Sequence, residues 1–161
     1  MIKRCTIEDL DFVNSVLRHD TIYPFIADDM FPPVDEFSLE PLLINPGVYF
    51  LTTNKYTVFV AIPIINNFVY EFHVNMIAPE GRGKVAVEST KEAVNYLFFG
   101  THCLKLVSFI PVIYENVVKF ACANGEQIEG TIKDAYLKNG KLYDMYLLGV
   151  TKEHWIKITS T

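Results

Sequence analysis

Glu71 and His73 stand two residues apart in the alternating run Glu71-Phe72-His73-Val74-Asn75-Met76, so a strand there places a carboxylate and an imidazole on one face. A pair of that kind can take up a proton and relay it. The alternative is that both point to solvent or pair with neighbouring side chains. The same run leads into Ile77-Ala78-Pro79-Glu80-Gly81-Arg82-Gly83-Lys84, after which the pattern becomes helical. A strand, a glycine-containing turn and a helix present main-chain N–H groups that have no partner inside the helix, at the positive end of its dipole. Arg82 and Lys84 add formal charge beside those donors. The chemistry suited to such a corner is phosphate binding.

Other reactive side chains are less suggestive. His102 and Cys103 are adjacent, so they face opposite ways on a strand and do not cooperate. His19 follows a helical pattern and suits a dipole partner at its C-terminus. His154 beside Trp155 falls in a terminal strand or turn, where surface packing is expected. Cys5, Cys103 and Cys122 are far apart and odd in number, which argues against a disulfide framework or a metal site and for reduced thiols.

The elements that must position Glu71, His73 and the Arg82 corner follow from pattern. Met1 to Cys5 suits a short strand, and Thr6 opens a helix with Glu8 and Asp9 in its first turn. Tyr23 to Asp29 suits a shorter helix, broken by Pro32 and Pro33. Pro32 to Pro46 reads as irregular, with apolar anchors at Leu39, Leu42 and Leu43. Three strands follow, Val48 to Thr52, Tyr56 to Ile64 and Phe68 to Met76, joined by short polar turns as in an antiparallel meander. Pro63 predicts that the middle one ends early or leaves the ladder. Lys84 to Phe99 is helical, with Val87, Thr90, Lys91, Val94, Leu97 and Phe98 on one stripe. Leu104 to Ile110 is a strand and Asn116 to Ala123 a short helix. Glu126 to Leu137 and Leu142 to Val150 form a hairpin around Asn139-Gly140. The strand–helix–strand section from Phe68 to Ile110 makes its two strands parallel, and the remainder is antiparallel.

The chain has 161 residues, enough for a single domain, 1–161, and half of them are hydrophobic. A net charge of −5 argues against a general nucleic-acid binder and suits a cationic substrate. No signal peptide and no bilayer-spanning run is expected, so the expectation is a cytoplasmic protein with no membrane partner.

This element order, with a phosphate turn after the fourth strand, resembles the GNAT superfamily of acetyl-CoA-dependent N-acetyltransferases over nearly the whole chain. Ile77 to Lys84 is similar to the family's acyl-CoA turn. Asn124-Gly125-Glu126-Gln127-Ile128-Glu129-Gly130, then Asp134-Ala135-Tyr136, Asn139-Gly140, Tyr143-Asp144 and Glu153-His154-Trp155, resembles the tail of the branch that acetylates ribosomal-protein N-termini and of small bacteriophage acetyltransferase-like proteins. The resemblance implies an α/β (α+β) mixed sheet, mostly antiparallel, with a central parallel pair flanked by helices. It implies acetyl-CoA as co-substrate and an amine-bearing small molecule or protein as partner.

The same resemblance implies roles for particular residues. The backbone of Met76 and Ile77 would pair with the pantetheine amides. N–H groups of Arg82, Gly83, Lys84, Val85, Ala86 and Val87 would hold the pyrophosphate, and Asn116 would contact the CoA arm. Glu71 or His73 would relay the amine proton. Tyr23, Phe25, Phe31, Asp28 and Asp29 fall where members bind their acceptor; they line a pocket for a cation or form a core patch with solvated charge. Two departures stand out. Val85 and Val87 replace small residues that let a pyrophosphate approach the backbone. Ala121 stands where many members carry a Tyr that protonates the leaving thiolate, and Tyr136 or Tyr143 is the substitute expected, unless each only packs. The competing expectations are a catalytically inactive phage protein serving as a binding or structural module, and a transferase of longer acyl groups.

Overall fold

The computed structural model describes residues 1–161. Seven strands form one sheet: β1 (Lys3–Arg4), β2 (Tyr49–Thr52), β3 (Thr57–Ile65), β4 (Val69–Met76), β5 (Lys105–Pro111), β6 (Gln127–Lys138) and β7 (Lys141–Thr151). Their order is β1-β2-β3-β4-β5-β7-β6. Only β4 and β5 are parallel, because a helical crossover, α4 (Lys84–Gly100), joins them. Every other neighbouring pair is antiparallel. The mixed sheet with one central parallel pair is therefore as expected.

The helices cover both faces. On one side, α1 (Leu10–Leu17) buries Val13, Val16 and Leu17 against Phe50, Val58 and Val60. On the other, α4 buries Ala86, Ala93, Val94, Leu97 and Phe98 against Phe59, Tyr70, Phe72 and Met76. Thr90, Val94, Leu97 and Phe98 lie on the buried stripe as expected, but Ala86, Ser89 and Ala93 complete it, and Val87 and Lys91 are exposed. Small residues form its inner face, where a helix lies close on a sheet. Two single turns, α2 (Tyr23–Ile26) and α3 (Glu40–Leu43), punctuate the long segment before β2.

The β6–β7 turn has positive φ at both Asn139 (52°) and Gly140 (76°), the hand that fits a two-residue hairpin. Pro63 does not end β3, which runs to Ile65, but the register with β4 shifts between Pro63 and Ile65. A bulge accommodates the missing N–H donor. The terminal segment is a helix, α6 (Lys152–Thr159), not a strand or turn. Thr151 caps it by accepting the His154 N–H at 3.1 Å. His154 is half-buried on this helix, and Trp155 beside it is a core residue at 3% exposure.

Candidate functional site

β4 and β5 pair at only three positions, Val69 with Lys105, Tyr70 with Leu106 and Glu71 with Val107. Both strands continue beyond that rung. Main-chain groups alternate sides along a strand. Ile77 N–H donates to Tyr56 O on the β3 side at 2.9 Å, and Leu104 and Lys105 N–H donate to Phe68 O on the other. Phe72, Val74 and Met76 therefore aim their N–H and C=O groups toward β5. Val112 N–H donates to Asp144 O on the β7 side, so Phe109 aims its own toward β4. The Ser108 hydroxyl lies 3.2 Å from Phe72 O and takes up that carbonyl where the ladder stops. Past it lies a wedge whose lips, at Val74, Met76 and Phe109, have no strand partner across the gap.

The wedge opens toward the corner that leads into α4. Gly81 N–H donates to Ile77 O at 2.7 Å, and Arg82 N–H donates to Pro79 O at 3.0 Å. Val87 N–H donates to Gly83 O. The N–H groups of Gly83, Lys84, Val85 and Ala86 are left without an acceptor. Gly83 holds φ 65° and ψ −134°, a conformation nearly confined to glycine, and the space beside it is open. Gly81 is required for a different reason. A Cβ there would lie 2.7 Å from Ile77 O. Gly81→Ala is expected to cost about 1–3 kcal/mol by forcing main chain apart, read as a lowered urea midpoint with unchanged slope.

These bonds correct three expected donors. The Ile77 N–H and C=O are both used within the protein, and the N–H groups of Arg82 and Val87 have acceptors. The free edge consists of Val74 and Met76, and the free corner runs from Gly83 to Ala86. The side chains of Val85 and Val87 are 39% and 50% exposed, so they point outward rather than into the sheet. Arg82 is exposed at the corner, and Lys84 makes only an exposed contact of 3.5 Å with Glu88. Asn116 is exposed in the first turn of α5 (Glu115–Ala123).

Glu71 sits on the last rung before the strands part. It and His73 do share a face, opposite to the one α4 covers, and they touch: Nε2 of His73 is 3.1 Å from Oε1 of Glu71. Their side chains are 26% and 46% exposed, Glu71 being the more enclosed. The contact with His73 holds the Glu71 carboxyl below the ordinary glutamate range, although partial burial opposes it.

Tyr136 has a structural task. Its buried hydroxyl is 2.9 Å from the Tyr114 hydroxyl and 3.3 Å from Ala27 O, and burial raises its pKa further from neutrality. It ties β6 to the segment after α2, so its hydroxyl proton is already placed. Asp29 belongs to the same latch: its two oxygens accept from Asn139 and Gly140 N–H at 2.8 and 2.7 Å. Asp28 accepts from Met30 N–H, and the Tyr23 hydroxyl donates to Pro32 O. Neither Asp29 nor Tyr23 is free for a ligand. Phe25 packs edge-on against Tyr114. Phe31 stacks on Phe37, and both line an open groove of about 580 Å³ with Glu36 and Glu40 on its rim.

Glu126, at the end of α5, was not legible as a site residue. Its Oε1 is 3.1 Å from Ser108 Oγ, and its other oxygen is buried without a partner. Burial pushes the carboxyl up to about 7. A glutamate between a glycine and a strand reads as surface, and no sequence signal marks this one. No group of three or more His, Cys, Asp or Glu side chains is placed to hold a metal ion, and no helix is long and apolar enough to cross a membrane.

One parallel pair in an otherwise antiparallel sheet, parted after three rungs and feeding a helix through a glycine corner, defines the GNAT acyltransferase fold. Solved structures agree. The chain is similar to spermidine N-acetyltransferase from Vibrio cholerae in complex with CoA and spermine, with 20% identity, 97% of each chain covered and a TM-score of 0.78. It is also similar to a point mutant of that enzyme, with 18% identity, 99% of each chain covered and a TM-score of 0.78. No protein-family model and no curated protein sequence matches this chain.

Proposed function

We propose that the protein transfers an acetyl group from acetyl-CoA to a primary amine of a small cation. The observation that carries this is the pair of unpartnered main-chain stretches, Val74 and Met76 on the strand edge and Gly83–Ala86 at the corner beyond it. Those groups fit the cofactor: an extended arm with amides adds to a strand edge, and a diphosphate sits on helix-start N–H groups. Arg82 supplies charge at the same place. Acetyl-CoA, when bound, contributes an activated acetyl thioester. Glu71, steadied by His73, takes the proton of the attacking amine through water. The acidic groove rim at Glu36 and Glu40 and the net charge of −5 suit a cationic acceptor. The spermine bound by the Vibrio cholerae enzyme supports a small amine over a lysine or a protein N-terminus, the latter being the acceptor of the ribosomal-protein-like branch.

Calorimetric titration with acetyl-CoA tests the first part, with saturable heat and a raised Tm expected; neither signal at millimolar ligand sinks it. An acceptor panel of spermine, a lysine peptide and a free-N-terminus peptide tests the second, with the polyamine turned over fastest. The inactive scaffold is the second reading, favoured by Val85, Val87 and Ala121. Because both valines point outward, Val85→Gly with Val87→Gly is expected to tighten CoA binding less than about tenfold, while costing roughly 0.5–1 kcal/mol of helix stability. Binding that appears only in that double variant favours the scaffold.

A further inference from the structure

We infer that Glu126 is the proton donor to the departing thiolate, the role left vacant by Ala121. This inference rests on the acetyltransferase reading. The backbone N–H of Glu126 donates to Ala121 O at 3.1 Å, so the two residues share the end of α5. From there the side chain reaches across to β5. Its Oε1 is 3.1 Å from Ser108 Oγ, which is itself 3.2 Å from Phe72 O at the closed end of the wedge. An arm laid along β4 from the Gly83 corner, past Met76 and Val74, brings its far end to Phe72 after about 13 Å of strand.

The hydrogens can be counted. The Ser108 hydroxyl has one, and two acceptors surround it. Phe72 O can only accept. If Ser108 donates to it, Ser108 Oγ accepts from Glu126, which then carries a proton. If Ser108 instead donates to an ionised Glu126, a main-chain carbonyl loses its donor, and a negative charge is placed where the second carboxylate oxygen is buried and unpaired. The neutral acid leaves the smaller deficit. Burial supports the same state by pushing the carboxyl up to about 7, and neighbouring Glu129 raises it further. Glu129 is itself paired with Lys105 at 2.7 Å.

The step balances. As the amine nitrogen bonds to the acetyl carbon and the carbon–sulfur bond breaks, the bonding pair leaves on sulfur. Glu126 gives its proton to that sulfur and becomes a carboxylate, and solvent returns a proton to it afterwards. The amine's surplus proton leaves through Glu71 and water. A thiolate whose thiol has an ordinary pKa of about 8.5 is a stronger base than the Glu126 carboxylate, so the transfer runs downhill.

Glu126→Gln keeps the shape and neutrality of the acid, and circular dichroism verifies its fold. Infrared difference spectra of the ligand-free proteins at pH 6, where an ordinary glutamate is ionised, should show a protonated-carboxyl band in the wild type that the variant lacks. In single turnover the variant should transfer acetyl from acetyl-CoA at least about tenfold more slowly, with the Kd for acetyl-CoA changed less than about threefold. An acetyl thioester of an acidic aromatic thiol, whose thiolate leaves without a proton, should narrow that gap. Absence of the band, an unchanged rate, an equal loss with both donors, or loss of acetyl-CoA binding in the variant each overturns the assignment. A wild type that binds no acetyl-CoA overturns the acetyltransferase reading itself, and that is distinguishable because the band does not depend on ligand.

Discussion

Glu71→Gln is expected to lower kcat for amine acetylation by roughly 10²–10⁴-fold, the usual contribution of a positioned general base, while the Kd for acetyl-CoA stays nearly constant. The selectivity follows from position. Glu71 occupies the last rung of the parallel pair, on the face away from α4, whereas the donors of the Gly83 corner lie at the far end of β4. His73→Ala tests the partnership. His73 holds the Glu71 carboxyl down against the opposing effect of burial, so its removal raises that pKa. A base works when deprotonated. The acid limb of the pH–rate profile should therefore move to higher pH in His73→Ala, and the activity lost should be recovered as pH rises. An unmoved acid limb, or full activity in Glu71→Gln, would remove the pair from the mechanism.

Trp155→Ala is expected to cost about 3–5 kcal/mol, the range for an aromatic deleted from a close-packed interior. The indole is buried against Phe98, and its N–H donates to Asn95 Oδ1 at 2.8 Å. The cavity would leave that amide oxygen without its donor as well. For a chain of this length the loss corresponds to a Tm lowered by roughly 10 °C. Denaturant unfolding should show a lower midpoint at constant slope. The ring also backs Gly125, where a Cβ would come within 3.6 Å of it, so it supports the backbone immediately before Glu126. A loss below 1 kcal/mol would show that α6 is peripheral to the core.

The fold was largely legible because its punctuation is local. Asn139-Gly140 marks its own turn, and the helix after Lys84 announces itself by period. The inner face of α4 was legible from Thr90, Val94, Leu97 and Phe98 but incomplete, because Ala86, Ser89 and Ala93 carry little hydrophobic signal although close packing selects them. The terminal helix was missed because its cap, Thr151, directly follows the apolar run of β7 and reads as the end of a strand. The site was legible only in part. Glu71 and His73 share a face by simple alternation, and the glycine corner follows from residue type. Which amides remain free depends on bonds such as Ile77 to Tyr56, which tertiary pairing decides. The roles of Asp29, Tyr136 and Glu126 depend on contacts between residues far apart in the chain, and no spacing rule reports those.

The empty rungs at Val74, Met76 and Phe109, and the bare amides from Gly83 to Ala86, belong to the polypeptide common to all residues. Recognition written in peptide groups asks little of side-chain identity beyond a glycine where φ must be positive. Mutation can therefore rewrite most of the surrounding alphabet without erasing the grip. Shape can then be shared where the letters differ, as the 20% identity alongside a TM-score of 0.78 illustrates.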